Sequence, residues 1–244
     1  MGGVMTKKKL FIVAAILLSV IVSVCAVLVF AVVIPNAKKE KEWEELVKQY
    51  YANKIEKYQE ENDRYQDYEV DVVFLGDSLT DGYDVESYYS EFVVSNRGIG
   101  GDTTVGLEQR LAVSVYDLKP KVIVMLIGAN NMDTMLSNYE RILTGFQENL
   151  PNTKVVLLSL TAMGGELWGR KNQLAAYNNV SIKKYAEKYG YYFVDLFSPL
   201  FDESIGEVYA GYTVDGGHFT SLGYDVVTSL VKPAVTQALA DYNN

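Results

Sequence analysis

The chain has 244 residues, a formal net charge of −9, one cysteine and one histidine. An acidic balance of this size argues against nucleic acid, whose phosphates call for a basic face. Cys25 alone permits neither an internal disulfide nor a cysteine metal site, and His218 alone excludes the multi-histidine zinc motifs.

Lys7, Lys8 and Lys9 precede Leu10 to Ile34, a run of 25 residues without a charge. A bilayer core of about 30 Å needs roughly 20 helical residues, so this run predicts a membrane-spanning helix. It is too long for the apolar region of a cleaved signal peptide and ends at Ile34-Pro35 rather than at small residues. Val24, also not small, precedes Cys25, which fits a lipoprotein site poorly. The early lysine cluster predicts an inside N-terminus and an outside C-terminal domain, although Lys38, Lys39 and Lys41 follow the run. Residues 1–36 therefore read as a cytoplasmic lysine cluster and a single-pass anchor in the cell membrane.

Residues 37–68 are dense in Glu, Lys, Gln and Tyr, without Gly or Pro. Trp43, Val47, Tyr50, Tyr51, Ile55 and Tyr58 recur at three- and four-residue steps, the spacing of an amphipathic helix. Such a helix either stands the following domain off the membrane or packs its aromatic stripe on that domain. The stripe is too short and irregular for a coiled coil, so no oligomeric state follows from it.

From residue 69 to 244 the texture is that of one α/β domain. Apolar, β-branched runs at Val70–Leu75, Phe92–Val94, Val122–Ile127, Val155–Leu160 and Tyr192–Val194 predict five strands. Helical patterns at Thr104–Tyr116, Tyr139–Leu150, Leu174–Tyr189 and Leu222–Asp241 alternate with them. That alternation predicts βαβ units and a mostly parallel sheet with helices on both faces.

Polar, glycine-rich segments close three consecutive strands. They are Gly76-Asp77-Ser78, then Asn96 to Thr104 with Gly98, Gly100 and Gly101, then Gly128-Ala129-Asn130-Asn131. Asp215-Gly216-Gly217-His218 precedes the last helix. In open α/β sheets, ligands bind at the carboxyl ends of strands. Gly76 reads as a residue chosen for backbone freedom in the turn that follows the first strand. The glycine cluster is not a dinucleotide loop, because Thr103 stands where the third glycine belongs. No phosphate-binding G-x-x-x-x-G-K-[ST] occurs, and Asp77, Asp81 and Asp84 lack the spacing of a calcium loop.

The residue types fit nucleophilic catalysis. A serine hydroxyl needs a base to take its proton, and the base needs an acceptor on its other ring nitrogen. Ser78, His218 and Asp215 can supply these. An oxyanion needs donors, for which the backbone N–H groups of Ser78 and Gly101 and the amide of Asn130 are candidates. Taken singly, each has a plainer reading: Gly-Asp-Ser and Asn130 as turn residues, His218 as a capping histidine.

Together, Gly76-Asp77-Ser78-Leu79, Gly101-Asp102, Gly128-Ala129-Asn130 and Asp215-Gly216-Gly217-His218 resemble the SGNH or GDSL hydrolases in order and spacing. The resemblance covers Val70 to Asp241. It implies a flavodoxin-like three-layer α/β/α sandwich and a serine esterase without cofactor or metal. By position, Ser78 matches the nucleophile, His218 and Asp215 the base and its partner, and Ser78, Gly101 and Asn130 the oxyanion hole. Asn131 stands where many members carry Asp; it and Trp168 are expected to contact substrate. Asn130-Asn131 and Gly98-Ile99-Gly100-Gly101-Asp102 resemble the platelet-activating-factor acetylhydrolase branch, which leans toward short acyl groups. Thr80 at the last position separates the motif from the G-x-S-x-G elbow of α/β-hydrolases.

The expected activity is hydrolysis of small acyl esters, such as O-acetyl groups on envelope or extracellular glycans. A lysophospholipid or other lipid ester, an acyl transfer to a sugar, and a non-catalytic surface binding module are the alternatives. Residues 132–138, 162–170 and 198–214 are expected to line the pockets, with Trp168, Tyr209 and Tyr212 available to stack on a sugar. Asp77 is expected to brace the turn, since Asp215 already occupies the acid position.

Overall fold

The computed structural model describes residues 34–244. The predicted anchor, Leu10–Ile34, lies outside them but for its last residue; among the described residues no helix is long and apolar enough to cross a membrane. The chain divides into two units, Met1–Asn53 and Lys54–Asn244.

A single helix, α1 (Ile34–Asn62), crosses that division. Its first half carries charge pairs along its own surface, Lys38 with Glu42 and Lys48 with Glu45, and its Trp43 and Leu46 are exposed. From Lys54 onward the helix belongs to the α/β unit, and Tyr58 is buried there. Of the two readings of the aromatic stripe, packing applies to this second half.

The second unit is built on five strands: β1 (Val72–Gly76), β2 (Val94–Gly98), β3 (Val122–Leu126), β4 (Lys154–Leu158) and β5 (Tyr192–Val194). Their order is β2-β1-β3-β4-β5 and every pairing is parallel. All five residues of β1 and of β3 are buried, as continuous apolar runs covered on both faces should be. One face carries Val73, Leu75, Ile123, Met125, Val155 and Leu157. It is covered by α4 (Thr104–Gln109), α5 (Met135–Asn149) and α7 (Asn172–Tyr189). The other face carries Val72, Phe74, Val122, Val124 and Val156, covered by α3 (Val85–Tyr88) through Val85 and by α9 (Ser221–Tyr242) through Val227, Val231 and Val235. Between α7 and α9, α8 (Phe197–Leu200) and a small antiparallel pair, β6 (Phe201–Asp202) and β7 (Glu207–Val208), occupy the predicted loop at 198–214.

Two predicted elements differ. β2 runs over Val94-Ser95-Asn96-Arg97-Gly98 instead of Phe92–Val94. Its polar residues look like loop in sequence, but each finds partners inside the fold. The Asn96 amide donates to the carbonyls of Thr80 and Tyr83, and Arg97 is buried among hydrogen-bond acceptors. The helix predicted at Thr104–Tyr116 is interrupted: α4 ends at Gln109 and a π-helical turn spans Ala112–Tyr116. The break falls at Arg110, whose side chain is drawn inward; π-turns often mark such functional positions.

Register brings the strand ends level, with Gly76 opposite Gly98 on one side and Leu126 on the other. The chain leaves β1 toward β2 and returns to β3 on the opposite flank. This reversal opens a crevice at the carboxyl ends, where doubly wound sheets bind ligands.

Candidate active site

Ser78 is the first residue of a one-turn helix, α2 (Ser78–Asp81), immediately after β1. Asp77 caps it, its Oδ1 accepting the Leu79 N–H at 3.1 Å. The reason for glycine at 76 is space rather than the backbone freedom expected. Its φ is not in the left-handed region, but a Cβ there would lie 2.2 Å from the Leu126 carbonyl and 2.3 Å from Thr80 Oγ1.

His218 reaches Ser78 from the loop before α9. A bridge between Thr213 and Phe219 pinches the base of that loop, and Val214 N–H donates to the His218 carbonyl at 2.8 Å. His218 Nε2 lies 3.0 Å from Ser78 Oγ. On the other side of the ring, Nδ1 lies 2.7 Å from Asp215 Oδ2. Asp215 Oδ1 accepts the backbone N–H of His218 at 2.8 Å and of Gly217 at 2.9 Å. Partial burial pushes the Asp215 carboxyl up, but the His218 backbone and ring and the Gly217 N–H outweigh it and hold the group at about 2. An ionised Asp215 keeps the ring proton on Nδ1, leaving Nε2 free to accept from Ser78.

A cleft opens beside Ser78. Asp77, Ser78, Ala129, Asn130, Thr161, Met163, Trp168, Gly217 and His218 contribute to its lining. Trp168 belongs to a short helix, α6 (Gly165–Trp168), and meets the His218 ring edge-on, centroids 6.1 Å apart at 88°. The α6 segment is fastened by Gly164 N–H to the Gly216 carbonyl at 2.8 Å and by Gly165 N–H to Glu207 Oε2 at 2.9 Å. Among the described residues, Asp77 Oδ2, Thr161 Oγ1 and Trp168 Nε1 are buried without a hydrogen-bond partner. All three belong to residues lining this cleft. Burial lifts Asp77 to about 7; the Asp102 charge adds to the rise, while the Leu79 N–H, His218 and Arg110 oppose it.

The structure thus brings Ser78, His218, Asp215, Asn130 and Trp168 to one place. The Asn130 amide donates to the Asp102 carbonyl at 2.8 Å, which ties the loop after β3 to the loop after β2. Gly101 has φ +78° with open space where a Cβ would stand, but is not among the residues lining the cleft. Asn131 turns away from it. Its Oδ1 accepts Thr104 N–H at 3.1 Å and its amide donates to Thr104 Oγ1 at 2.9 Å, so it fixes the start of α4 instead of facing substrate.

Sequence reasoning missed Arg110. Its Nε donates to Asp102 Oδ2 at 2.7 Å, Nη1 to the Arg97 carbonyl at 2.9 Å, and Nη2 to the Gly76 carbonyl at 2.9 Å. Arg110 sits in an amphipathic helical run where a charge reads as solvated, so no sequence signal marked it. No group of His, Cys, Asp and Glu among the described residues is arranged to hold a metal ion.

A serine–histidine–aspartate relay at the carboxyl end of a parallel sheet, its acid and base open to solvent on one side, defines a nucleophilic hydrolase site in form. Residues 74–226, more than half the chain, match the GDSL-like Lipase/Acylhydrolase family, and the chain belongs to that family. Among curated proteins it is similar to platelet-activating factor acetylhydrolase IB subunit alpha2 of Homo sapiens. Identity is 34% over 108 residues, 41% of this chain and 47% of that protein, so the match spans about half the length of this relative. A solved structure named for platelet activating factor from Streptococcus pneumonia is similar at TM-score 0.69 and 25% identity, over 84% of this chain and 98% of that one. A GDSL-like lipase from Bacteroides thetaiotaomicron is similar at TM-score 0.67 and 26% identity, over 75% and 98%.

Proposed function

We propose that the chain is a serine esterase that removes short acyl groups, O-acetyl above all, from glycans at the cell envelope or outside the cell. In this reading Ser78 Oγ attacks the ester carbonyl while His218 Nε2 takes its proton. The N–H groups of Ser78 and Gly101 and the Asn130 amide receive the negative charge that forms on the carbonyl oxygen. His218⁺ then protonates the departing alcohol, and water, activated by the same imidazole, releases the acyl group from Ser78. Leu10–Ile34 anchors the chain in the membrane with the catalytic domain outside.

The observation that carries the reading is the pair of contacts on the His218 ring, 3.0 Å to Ser78 and 2.7 Å to Asp215. Three buried polar atoms without partners beside Ser78 support an oxygen-rich substrate, since unpaired groups favour a ligand that can pair with them. The similarity to an acetylhydrolase subunit supports a short acyl group.

A second reading, a lysophospholipid or related lipid ester, draws on Leu167 and Val214. They are 71% and 72% exposed and adjoin Trp168 and Asp215 in sequence, two uncovered apolar side chains next to site residues.

The test compares the full chain with Ser78→Ala, using a fluorophosphonate probe, p-nitrophenyl esters of rising acyl length, acetylated sugars and a lysophospholipid. Labelling and turnover of the wild type alone, falling with acyl length, are expected. No labelling and no turnover at any pH sinks the esterase reading; preference for the lysophospholipid replaces the first substrate class by the second. Protease accessibility in intact cells tests the topology.

A further inference from the structure

The second half of α1 touches the strand that leads into the glycine loop. Tyr58 Oη donates to the Gly98 carbonyl at 2.6 Å, at the last residue of β2. Asn62 Oδ1 accepts from Arg97 Nη2 at 2.9 Å, and the Asn62 amide donates to the Val113 carbonyl at 2.8 Å. Arg97 Nη1 donates to the Tyr58 carbonyl at 3.1 Å, and its guanidinium lies 4.7 Å over the Tyr58 ring. The Arg97 side chain is 0% exposed, so these acceptors replace all of its water. Lys54 also pairs with Asp81, at the end of the helix that Ser78 begins.

A second guanidinium carries the contacts onward. Arg110 binds the carbonyls of Arg97 and Gly76 and the carboxylate of Asp102, and the Asp102 carbonyl receives the Asn130 amide. One planar fork therefore holds the last residue before the Asp77-Ser78 turn, the residue before Gly98, and the loop carrying Gly101. A fork of this kind fixes direction as well as distance, which a point charge does not.

We propose that Tyr58 and Asn62 are positioning residues for the oxyanion donors, acting through Arg97 and Arg110. The second half of α1 is then part of what places the catalytic groups and not only a spacer. The role of Gly101 and Asn130 as donors rests on the esterase reading above. Oxyanion donors act through placement, and each is worth roughly 10²–10³ in rate when removed, so a small displacement lowers turnover without weakening substrate binding.

The test uses the full-length chain with Tyr58→Phe, Asn62→Ala and Arg110→Lys, each measured for p-nitrophenyl acetate turnover, thermal midpoint and amide hydrogen exchange over residues 98–103. Tyr58→Phe removes one hydroxyl and leaves the packing. Expected are a kcat lower by about fivefold to tenfold for Tyr58→Phe and Asn62→Ala, a larger fall for Arg110→Lys, KM within twofold, and faster exchange in residues 98–103. The Tyr58→Phe/Arg110→Lys double variant loses less than the product of the single losses, because the two act on one loop. A lowered thermal midpoint with unchanged kcat and unchanged exchange overturns the proposal and leaves a purely structural contact. If the wild type hydrolyses no ester, the esterase reading fails on its own, and exchange in residues 98–103 still decides whether Tyr58 and Asn62 set that loop.

Discussion

Asp215 grips His218 twice, one carboxylate oxygen on the ring Nδ1 at 2.7 Å and the other on the backbone N–H at 2.8 Å. The two bonds fix the ring's orientation and its tautomer together. In Asp215→Asn an amide can still accept the backbone N–H, but it offers the ring a weaker or wrongly directed partner. The expected result is a kcat lower by roughly 10³–10⁴ with KM little changed and the fold intact. Steady-state kinetics with far-ultraviolet circular dichroism checks it; a loss under tenfold would remove Asp215 from the relay.

The same contacts fix the charge of Asp215 across the working pH range. A carboxyl held at about 2, below its ordinary value, contributes stability that is present above the ordinary carboxylate range and disappears as pH falls through about 2. Asp215 is therefore ionised throughout the range in which enzymes are assayed. Following the Asp215 side-chain carboxyl by carbon magnetic resonance checks it; a titration of that carbon above about pH 4 would contradict the assignment.

Asp77 carries the opposite sign. Burial raises it to about 7, so the folded state holds its proton where an unfolded chain has released it. That difference stabilises the fold at acid pH and is lost as pH rises between about 4 and 7. Asp77→Asn keeps the amide oxygen as acceptor for Leu79 N–H but does not ionise. Relative to wild type its stability is expected to gain as pH rises from about 4 to 7, by on the order of a few kcal/mol, read as a widening difference in thermal midpoint. Parallel midpoint-against-pH curves for the two proteins would show that Asp77 does not titrate with folding.

Two glycines at the site are expected to respond differently to alanine. At Gly76 a Cβ meets a carbonyl at 2.2 Å and a threonine hydroxyl at 2.3 Å, and the carbonyl belongs to a central strand that cannot retreat. Gly76→Ala should cost about 3 kcal/mol or more and disturb Ser78. At Gly101 there is room, and only the left-handed backbone resists, at about 1–2 kcal/mol. Denaturant midpoints of the two variants check the order; equal losses would contradict it.

Residues 54–68 are expected to be required by the fold. A chain beginning at Glu69 lacks Tyr58, Glu61 and Asn62 and leaves the buried Arg97 guanidinium with only Ser95 Oγ and the Val113 carbonyl. Removing partners from a buried charge costs about 3–5 kcal/mol, or roughly 10 °C in midpoint for a domain of this size. A fragment beginning at Lys54 should melt well above one beginning at Glu69. Matching midpoints would mean that Arg97 finds replacement partners.

What could be read from the sequence was whatever leaves a periodic or compositional trace. The buried runs of β1, β3 and β4 announced themselves because parallel central strands are apolar on both faces. Ser78, Asn130 and the Asp215–His218 pair were legible because each sits at a glycine-marked end of an element. β2 was misplaced because its satisfaction is tertiary: Asn96 and Arg97 are polar residues whose partners lie many residues away, and Ser95 accepts from the buried Arg97 Nε. Arg110 was invisible for the same reason. Asn131 was assigned by its neighbour, and nothing short of the Thr104 contacts shows which way its amide turns.

His218 is the chain's single imidazole, and both of its nitrogens are engaged. Its magnetic resonance signals therefore need no assignment. One far-downfield ring proton, shared with Asp215, should report the tautomer directly, and its disappearance in Asp215→Asn or its movement when a phosphonate caps Ser78 would be read from one line in a proton spectrum. In the proposed mechanism that reporter is also the base.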